Sequence, residues 1–349
     1  MDKLDRIILK LMVVVCFVFC LGVITASAMT EKELIEKAQN EGSLLWYTSS
    51  PTASAEKLAK AFNEKYKVKV ELVRSGGLGT IQKVYAEQEK NISKCDVVGP
   101  TGATDAFPQM KRRGWLAKIS DLPEWNHILD AMKDKDGLYV VINSDTVGMI
   151  YNKAGMEGKT LPKSLKELAD PKYRGMLVVG DPSISGTALT WGRWVMHSKE
   201  LGLDFLTKLR LNDVFVVGQT GQINDTVARG ARAIGVMQQE YEYVRVMAKG
   251  VGWITPQDGY VITPRPGAIL ANAPHPVAAR LFLNYLLSPE VQDQMIQEGN
   301  SSSRKEMNNN KYMSWKPPLE KGWQPNWEAI DEKDTKEMIT KISKALKGQ

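Results

Sequence analysis

Four turns in this sequence gather groups suited to holding an anion: Thr48-Ser49-Ser50, Ser75-Gly76-Gly77, Thr101-Gly102-Ala103-Thr104 and Ser183-Ile184-Ser185-Gly186-Thr187. Each is rich in Ser, Thr and Gly, and each follows a short apolar run that reads as a strand. Hydroxyls donate hydrogen bonds, glycine lets a ligand approach the backbone, and a helix N-terminus offers unpaired N–H groups with a partial positive charge. Any one of these turns is equally well explained as a helix cap with no ligand. Four of them at the carboxyl ends of strands point to an oxyanion site.

A second constellation is Glu240-Tyr241-Glu242-Tyr243, directly after the strand-like run Ile234 to Met237. Phenolate and carboxylate oxygens are hard donors and suit a trivalent cation, which must displace the phenol proton. The competing reading is a helix start with acids in its first turn. Arg193 and Arg265 are candidate anion clamps. His127, His197 and His275 lie far apart and share no zinc-ligand spacing. No Gly-x-Ser-x-Gly elbow, His-Glu-x-x-His or P-loop occurs, and no His neighbours the Ser turns in sequence, so catalysis is not expected.

The elements that must position these residues alternate. Leu44–Thr48 reads as a strand, followed by a helix carrying Ala55, Leu58, Ala59, Phe62 and Tyr66. Val68–Val73 and Cys95–Val98 are further strands, with a helix between them. Two runs, 139–142 and 148–152, read as a strand pair. The pattern then starts again with a helix at 162–168, a strand at 175–180, a helix at 188–196, a strand at 214–217, a helix at 224–232 and a strand at 233–237. Short strands at 260–262 and 267–270 and a helix at 276–287 return to the first unit. The Pro- and Trp-rich stretch 312–327 is expected to wrap the surface, and 334–346 to dock as an amphipathic helix. Alternation of this kind is α/β with mostly parallel sheets, and ligands in such sheets bind at the carboxyl ends of strands.

The first 28 residues have a basic start (Lys3, Arg6, Lys10), an apolar stretch from Leu11 to Ile24 and the small-residue end Ala26-Ser27-Ala28. This is the form of a secretory signal peptide, with cleavage expected after Ala28 and a periplasmic product. The apolar stretch is short for a membrane span. Cys16 and Cys20 fall in the leader, so an exported chain keeps Cys95 alone and can form no internal disulfide. The 321 remaining residues suit two lobes better than one core. A net charge of +6, with no Lys/Arg block interleaved with aromatics, argues against a nucleic-acid partner.

Several motifs in fixed order give the chain a resemblance. They are Leu45-Trp46-Tyr47-Thr48-Ser49, Gly148-Met149-Ile150-Tyr151-Asn152, Pro162 to Leu168 with Asp170-Pro171-Lys172-Tyr173-Arg174-Gly175, Asp181-Pro182 through Thr187, and Ala273-Pro274-His275-Pro276 ahead of the helix at 279–286. Over nearly all of its mature length the chain resembles the periplasmic substrate-binding proteins of ABC importers. More narrowly, it looks like the branch that binds ferric iron, hexose phosphates and aminoalkylphosphonates. The resemblance implies a type II-like fold of two α/β lobes closing over one solute, with hinge strands between. The expected organisation is a signal peptide at 1–28, lobe 1 at 29–140, lobe 2 at 141–258 and a return to lobe 1 at 259–349. It also implies a monomer that hands its solute to membrane permease subunits. The expected ligand is a small anion, phosphate- or phosphonate-bearing, held by Ser49, Ser50, Ser75, Gly76, Ser185, Gly186 and Thr187, with Tyr241 across the cleft. The alternative is ferric iron on Glu240, Tyr241 and Tyr243, since ferric binders of this kind use adjacent tyrosines after the matching strand. Those binders often also use a His or acid after the first strand, where this chain has Thr48-Ser49-Ser50, and the departure favours an oxyanion. A sensor subunit, and a secreted enzyme acting on a phosphorylated substrate, are the other classes open to the sequence.

Overall fold

Parallel strands cannot be joined by tight turns; each pair needs a crossover, normally a helix packed on the sheet. The computed structural model, which describes residues 31–348, uses this unit twice. The predicted leader, residues 1–28, lies outside the described residues. Of the small unit Met1–Leu34 only the start of the helix Glu31–Glu41 is described; the sheet and its crossover helices lie within the unit Ile35–Gln349.

Strands β1 (Ser43–Thr48), β2 (Lys69–Arg74) and β3 (Val97–Gly99) form a parallel block, with β1 central. The helices Thr52–Tyr66 and Gly77–Gln88 make its crossovers. The 13-residue strand β4 (Val140–Asn152) leads to a second block, β5 (Leu177–Gly180), β6 (Phe215–Val217) and β7 (Ile234–Gln239), in which β5 is central and its pairings are parallel. The helices Gly186–His197, Gly202–Leu211 and Thr220–Ala228 make the crossovers there. After β8 (Val251–Ile254) comes β9 (Val261–Ile269), and later the short β10 (Ser301–Ser302). The order β2-β1-β3-β9-β4-β7-β5-β6 places β4 and β9, antiparallel to each other, between the two blocks, while β8 and β10 pair with β4.

Each block has its own core. Tyr47, Val84, Val98, Phe107, Met110 and Ala268 are buried together on the first. Leu177, Val178, Val179, Leu206, Leu209, Ile234 and Val236 are buried on the second. A fully buried side chain such as Phe107 stabilises by roughly 1.5–3 kcal/mol, and the crossing strands join both cores, β4 adding Val147, Met149 and Ile150 to the second and β9 adding Ala268 to the first.

The strand pair expected at 139–152 is one continuous strand. Residues 143–146 look polar (Asn-Ser-Asp-Thr) and invite a turn, yet they are buried and paired with β9. The runs near 260 and 267 likewise merge into β9. The helix expected at 162–168 is a 3-10 turn, Lys166–Ala169, and the one expected at 224–232 begins earlier, at Thr220. The stretch 312–327 does more than wrap the surface. Trp315 packs on Tyr243, and Lys316 is buried, donating to the carbonyls of Gly299 (2.9 Å) and Asn300 (2.8 Å).

Candidate functional site

Thr48, Arg74 and Gly99 are in register at the carboxyl ends of β1, β2 and β3, so the chain leaves the sheet there in one layer. The turn after β1 is tightly fixed. Thr48 Oγ1 lies 3.0 Å from Ser50 Oγ and 3.2 Å from the Gly99 carbonyl, and accepts from the Ser50 N–H at 3.0 Å. Ser49 Oγ accepts from the Thr101 N–H at 2.7 Å, and Arg74 Nε donates to the Ser50 carbonyl at 2.7 Å. The next helix has Pro51 at its N-cap with no side-chain cap, so the Ser50 hydroxyl does not serve as one.

From β9 the side chain of Arg265 reaches the same place. It is 5% exposed, its Nε donates to Thr101 Oγ1 at 2.7 Å, and its guanidinium carbon lies 5.7 Å from the centre of the Tyr241 ring. Its Nη2 is buried with no hydrogen-bond partner among the described residues. A guanidinium keeps its charge in proteins, so this is a buried positive group with an unused donor.

Two cavities open around these groups and share Tyr241 and Arg245 as a common wall. One, of about 270 Å³, is lined by Ser50, Arg265 and Asn300 among others. The second, of about 420 Å³, is lined by Ser49, Arg74, Asn224 and Glu242 among others. Burial pushes the Tyr241 phenol well above its usual range, with Glu242 adding to the shift, so it acts as a neutral hydroxyl. Burial also raises the Glu242 carboxyl, against the pull of Arg245. Asn224 Nδ2 holds Glu242 through its side chain (2.9 Å) and its carbonyl (2.7 Å), and Gln238 Nε2 in turn fixes Asn224 Oδ1 at 2.7 Å.

Beneath this wall is a buried polar layer between the blocks. Glu240 is fully buried; its Oε2 accepts from the Thr146 N–H at 3.1 Å and lies 3.5 Å from Lys316 Nζ. Burial lifts Glu240 to about 7 despite Lys316, and lifts Asp145 to about 6 despite Arg265 and Lys316. Asn300 Nδ2 donates to Asp145 Oδ1 at 3.0 Å.

Of the residues expected to hold an anion, Ser49, Ser50 and Tyr241 line the cavities. Ser75, Gly76, Ser185, Gly186 and Thr187 line neither cavity and contact other groups. Ser75 Oγ pairs with Thr80 Oγ1 at 2.9 Å, and a methyl added at Gly76 would lie 3.2 Å from the Ile184 carbonyl and 2.7 Å from Gln219 Nε2. Ser185 caps its own helix, accepting from the Ala188 N–H at 3.3 Å. Gly186 and Thr187 press backbone to backbone on Gly102, which has φ +70° and no room for a side chain. The alternative metal set is not assembled: Glu240 points into the buried layer, and the Tyr243 ring packs edge-on against Trp315 (4.9 Å) and tilted against Trp253 (5.4 Å). Positions 240, 241 and 243 face different ways on one helix turn, which leaves only Tyr241 at the cavities. Among the described residues no group of three or more His, Cys, Asp or Glu is placed to hold a metal ion.

Arg74, Arg245 and Asn224 do not stand out in the sequence, although Arg74 immediately precedes the Ser75 turn. Arg265 does, and it carries the stronger signal: one charge inside an otherwise uncharged strand, between Pro264 and Pro266. Arg193, the other candidate clamp, is buried in a contact with Thr335, away from both cavities.

The chain superposes on the periplasmic binding protein AfuA from Actinobacillus pleuropneumoniae, solved with fructose-6-phosphate, at a TM-score of 0.75 and 23% identity, covering 88% of this chain and 99% of that one. It also superposes on iron-bound HitA from Pseudomonas aeruginosa at a TM-score of 0.73 and 20% identity, covering 87% and 99%. At these identities the likeness establishes the fold: two lobes in the manner of periplasmic binding proteins. In sequence, a putative 2-aminoethylphosphonate-binding periplasmic protein of Salmonella typhimurium is 25% identical over 214 residues, spanning 57% of this chain and 63% of that protein. Residues 98–327 match the family model of the bacterial extracellular solute-binding proteins, which bind small solutes and work with ABC-transporter permeases. The chain belongs to this bacterial extracellular solute-binding protein family.

Proposed function

We propose that this protein captures a small solute bearing a phosphate or phosphonate group and presents it to an ABC importer. The observation that carries the reading is the buried Arg265 guanidinium, whose Nη2 is unpaired in a cavity wall that also holds Ser50 and Tyr241. A buried guanidinium N–H without an acceptor is costly, and an anion seated against it removes that cost. Arg74 and Arg245 add positive charge, while Ser49, Ser50 and Tyr241 supply neutral donors. The Gly76–Ile184 and Gly102–Gly186 contacts act as the surfaces on which the lobes close, and β4 and β9 as the hinge. We take the lobes to span 29–140 with 259–349, and 141–258. The mature protein starts after Ala28 and works as a periplasmic monomer without turning its ligand over.

The relatives bracket the choice: the Salmonella protein is named as a putative 2-aminoethylphosphonate binder, AfuA was solved with fructose-6-phosphate and HitA with iron. Iron is the weaker reading, because Tyr241 is the one member of the tyrosine–acid set at the cavities. Calorimetry of the purified protein with 2-aminoethylphosphonate, fructose-6-phosphate, inorganic phosphate and ferric citrate separates these ligands. A phosphonate or phosphate ester should bind, with the heat lost in Arg265→Ala and no inorganic phosphate released. A coloured ferric complex that disappears in Tyr241→Phe would overturn the reading.

A further inference from the structure

We propose that the C-terminal helix Glu332–Lys347 is a strap that holds the two lobes together independently of any solute. This inference rests on the two-lobe fold and not on the identity of the ligand. The helix begins beyond residue 327, where the family match ends. It is a complete helix, opened by a capping box between Asp331 and Asp334 and closed by Gly348 at φ 79°.

Its far end is seated in the second lobe. Ile342 and Leu346 are buried, and a methyl at Gly192, on the helix Gly186–His197, would sit 2.5 Å from Ile342 Cδ1. Arg210 Nε donates to the Ala345 carbonyl at 3.2 Å, and Lys347 pairs with Asp181. The approach to the helix is seated in the first lobe. Tyr139 donates to Glu328 Oε1 at 3.0 Å, and Lys111 Nζ lies 3.8 Å from the same carboxylate.

Between the two anchorages one hydroxyl of the helix touches both lobes. Thr335 Oγ1 directs its proton to Asp105 Oδ2 of the first lobe at 2.6 Å, with the Asp331 carbonyl a second acceptor at 2.9 Å, and accepts from Arg193 Nη2 of the second lobe at 2.8 Å. Asp105 and Arg193 are 4% and 3% exposed and lie 3.7 Å apart, so the hydroxyl completes a buried contact between opposite charges. With the helix fixed to the second lobe, separating the lobes breaks the Thr335–Asp105 bond. The strap therefore raises the fraction of molecules already closed, and apparent affinity for any solute improves by that fraction.

The test measures the distance between lobes with no solute added. Cysteines replace Lys60 in the first lobe and Lys208 in the second, whose side chains are 77% and 50% exposed. They carry spin labels, and Cys95 stays unlabelled because it is fully buried. Against this background Thr335→Val should move the short-to-long population ratio at least about tenfold toward long, the weight of one hydrogen bond to a charged group. Thr335→Ser, which keeps the hydroxyl, should match the parent. Glu328→Gln, at the partly exposed first-lobe anchorage, should shift the ratio in the same direction by a smaller factor and covers the case in which Thr335→Val does not fold. Distances in folded Thr335→Val and Glu328→Gln identical to the parent would overturn the strap, and would leave the anion reading of the cleft untouched. Failure of every phosphate ligand to bind would not alter these distances.

Discussion

After β1 the chain leaves the sheet through Ser49 and Ser50; after β5 it leaves through Ser183, Ile184 and Ser185 into the helix Gly186–His197. Both exits have small residues, hydroxyls and a helix beginning close behind, and their chemistry on paper is the same. In the first, Pro51 is the N-cap and makes no side-chain cap, so Ser50 is left at a cavity wall opposite Arg265. In the second, Ser185 spends its oxygen on the Ala188 N–H, and the Gly102 backbone occupies the space in front of the turn. A hydroxyl at a helix N-terminus is a ligand donor only where the helix does not use it and nothing else fills the space it faces.

Four measurements break or sharpen that contrast. Arg265→Ala removes the charge the first exit faces and should weaken binding of a phosphate or phosphonate by about a hundredfold or more in calorimetry, since bonds to charged groups are worth roughly 1.5–3 kcal/mol each. A loss under about threefold would move the anion to the second exit. Gly102→Ala places a methyl on the Gly186 backbone in a left-handed conformation, so the lobes cannot fully appose. Affinity should fall at least about tenfold, and small-angle scattering of the solute-saturated variant should show a larger radius than the parent.

The third measurement sets the two serines side by side. Ser50→Ala should weaken binding by roughly tenfold and change the unfolding temperature little. Ser185→Ala should cost about 1 kcal/mol of stability as a lost cap and leave affinity within about twofold. The reverse pattern would refute the contrast between the exits. The smallest effect is a tilt with pH from the buried layer behind them. Glu240, lifted by burial to about 7, binds its proton more tightly folded than unfolded. Its contribution is fully present below its unfolded value near 4.5 and is lost as pH rises through 7. Thermal melts from about pH 5 to 8 should therefore show the parent losing stability relative to Glu240→Gln as pH rises. Parallel curves would mean that Glu240 ionises in the ordinary carboxyl range in the folded protein too.

The helices and strands of both parallel blocks are legible in the sequence because their apolar residues repeat at 3.6 or lie in short runs between Gly, Ser and Pro punctuation. The linking strands are not. Asn143 to Thr146 are polar, and nothing local says they are buried; their burial depends on β9, more than a hundred residues later. Lys316 reads as surface for the same reason, because its partners, the carbonyls of Gly299 and Asn300 and the Glu240 carboxylate, are supplied by other segments.

By itself the sequence determined the class of fold, the repeat of one α/β unit and the presence of hydroxyl-rich turns at strand ends, all of which follow from periodicity and composition within a few residues. Which turns face a cavity and which face each other was decided by the tertiary structure alone. That choice depends on how the two blocks meet through β4 and β9, on the single Arg265 brought in by β9, and on Gly102 lacking the side chain that would hold Gly186 away. Contacts between residues so far apart in sequence leave no periodic trace in the chain, so their consequences appear only once the lobes are assembled.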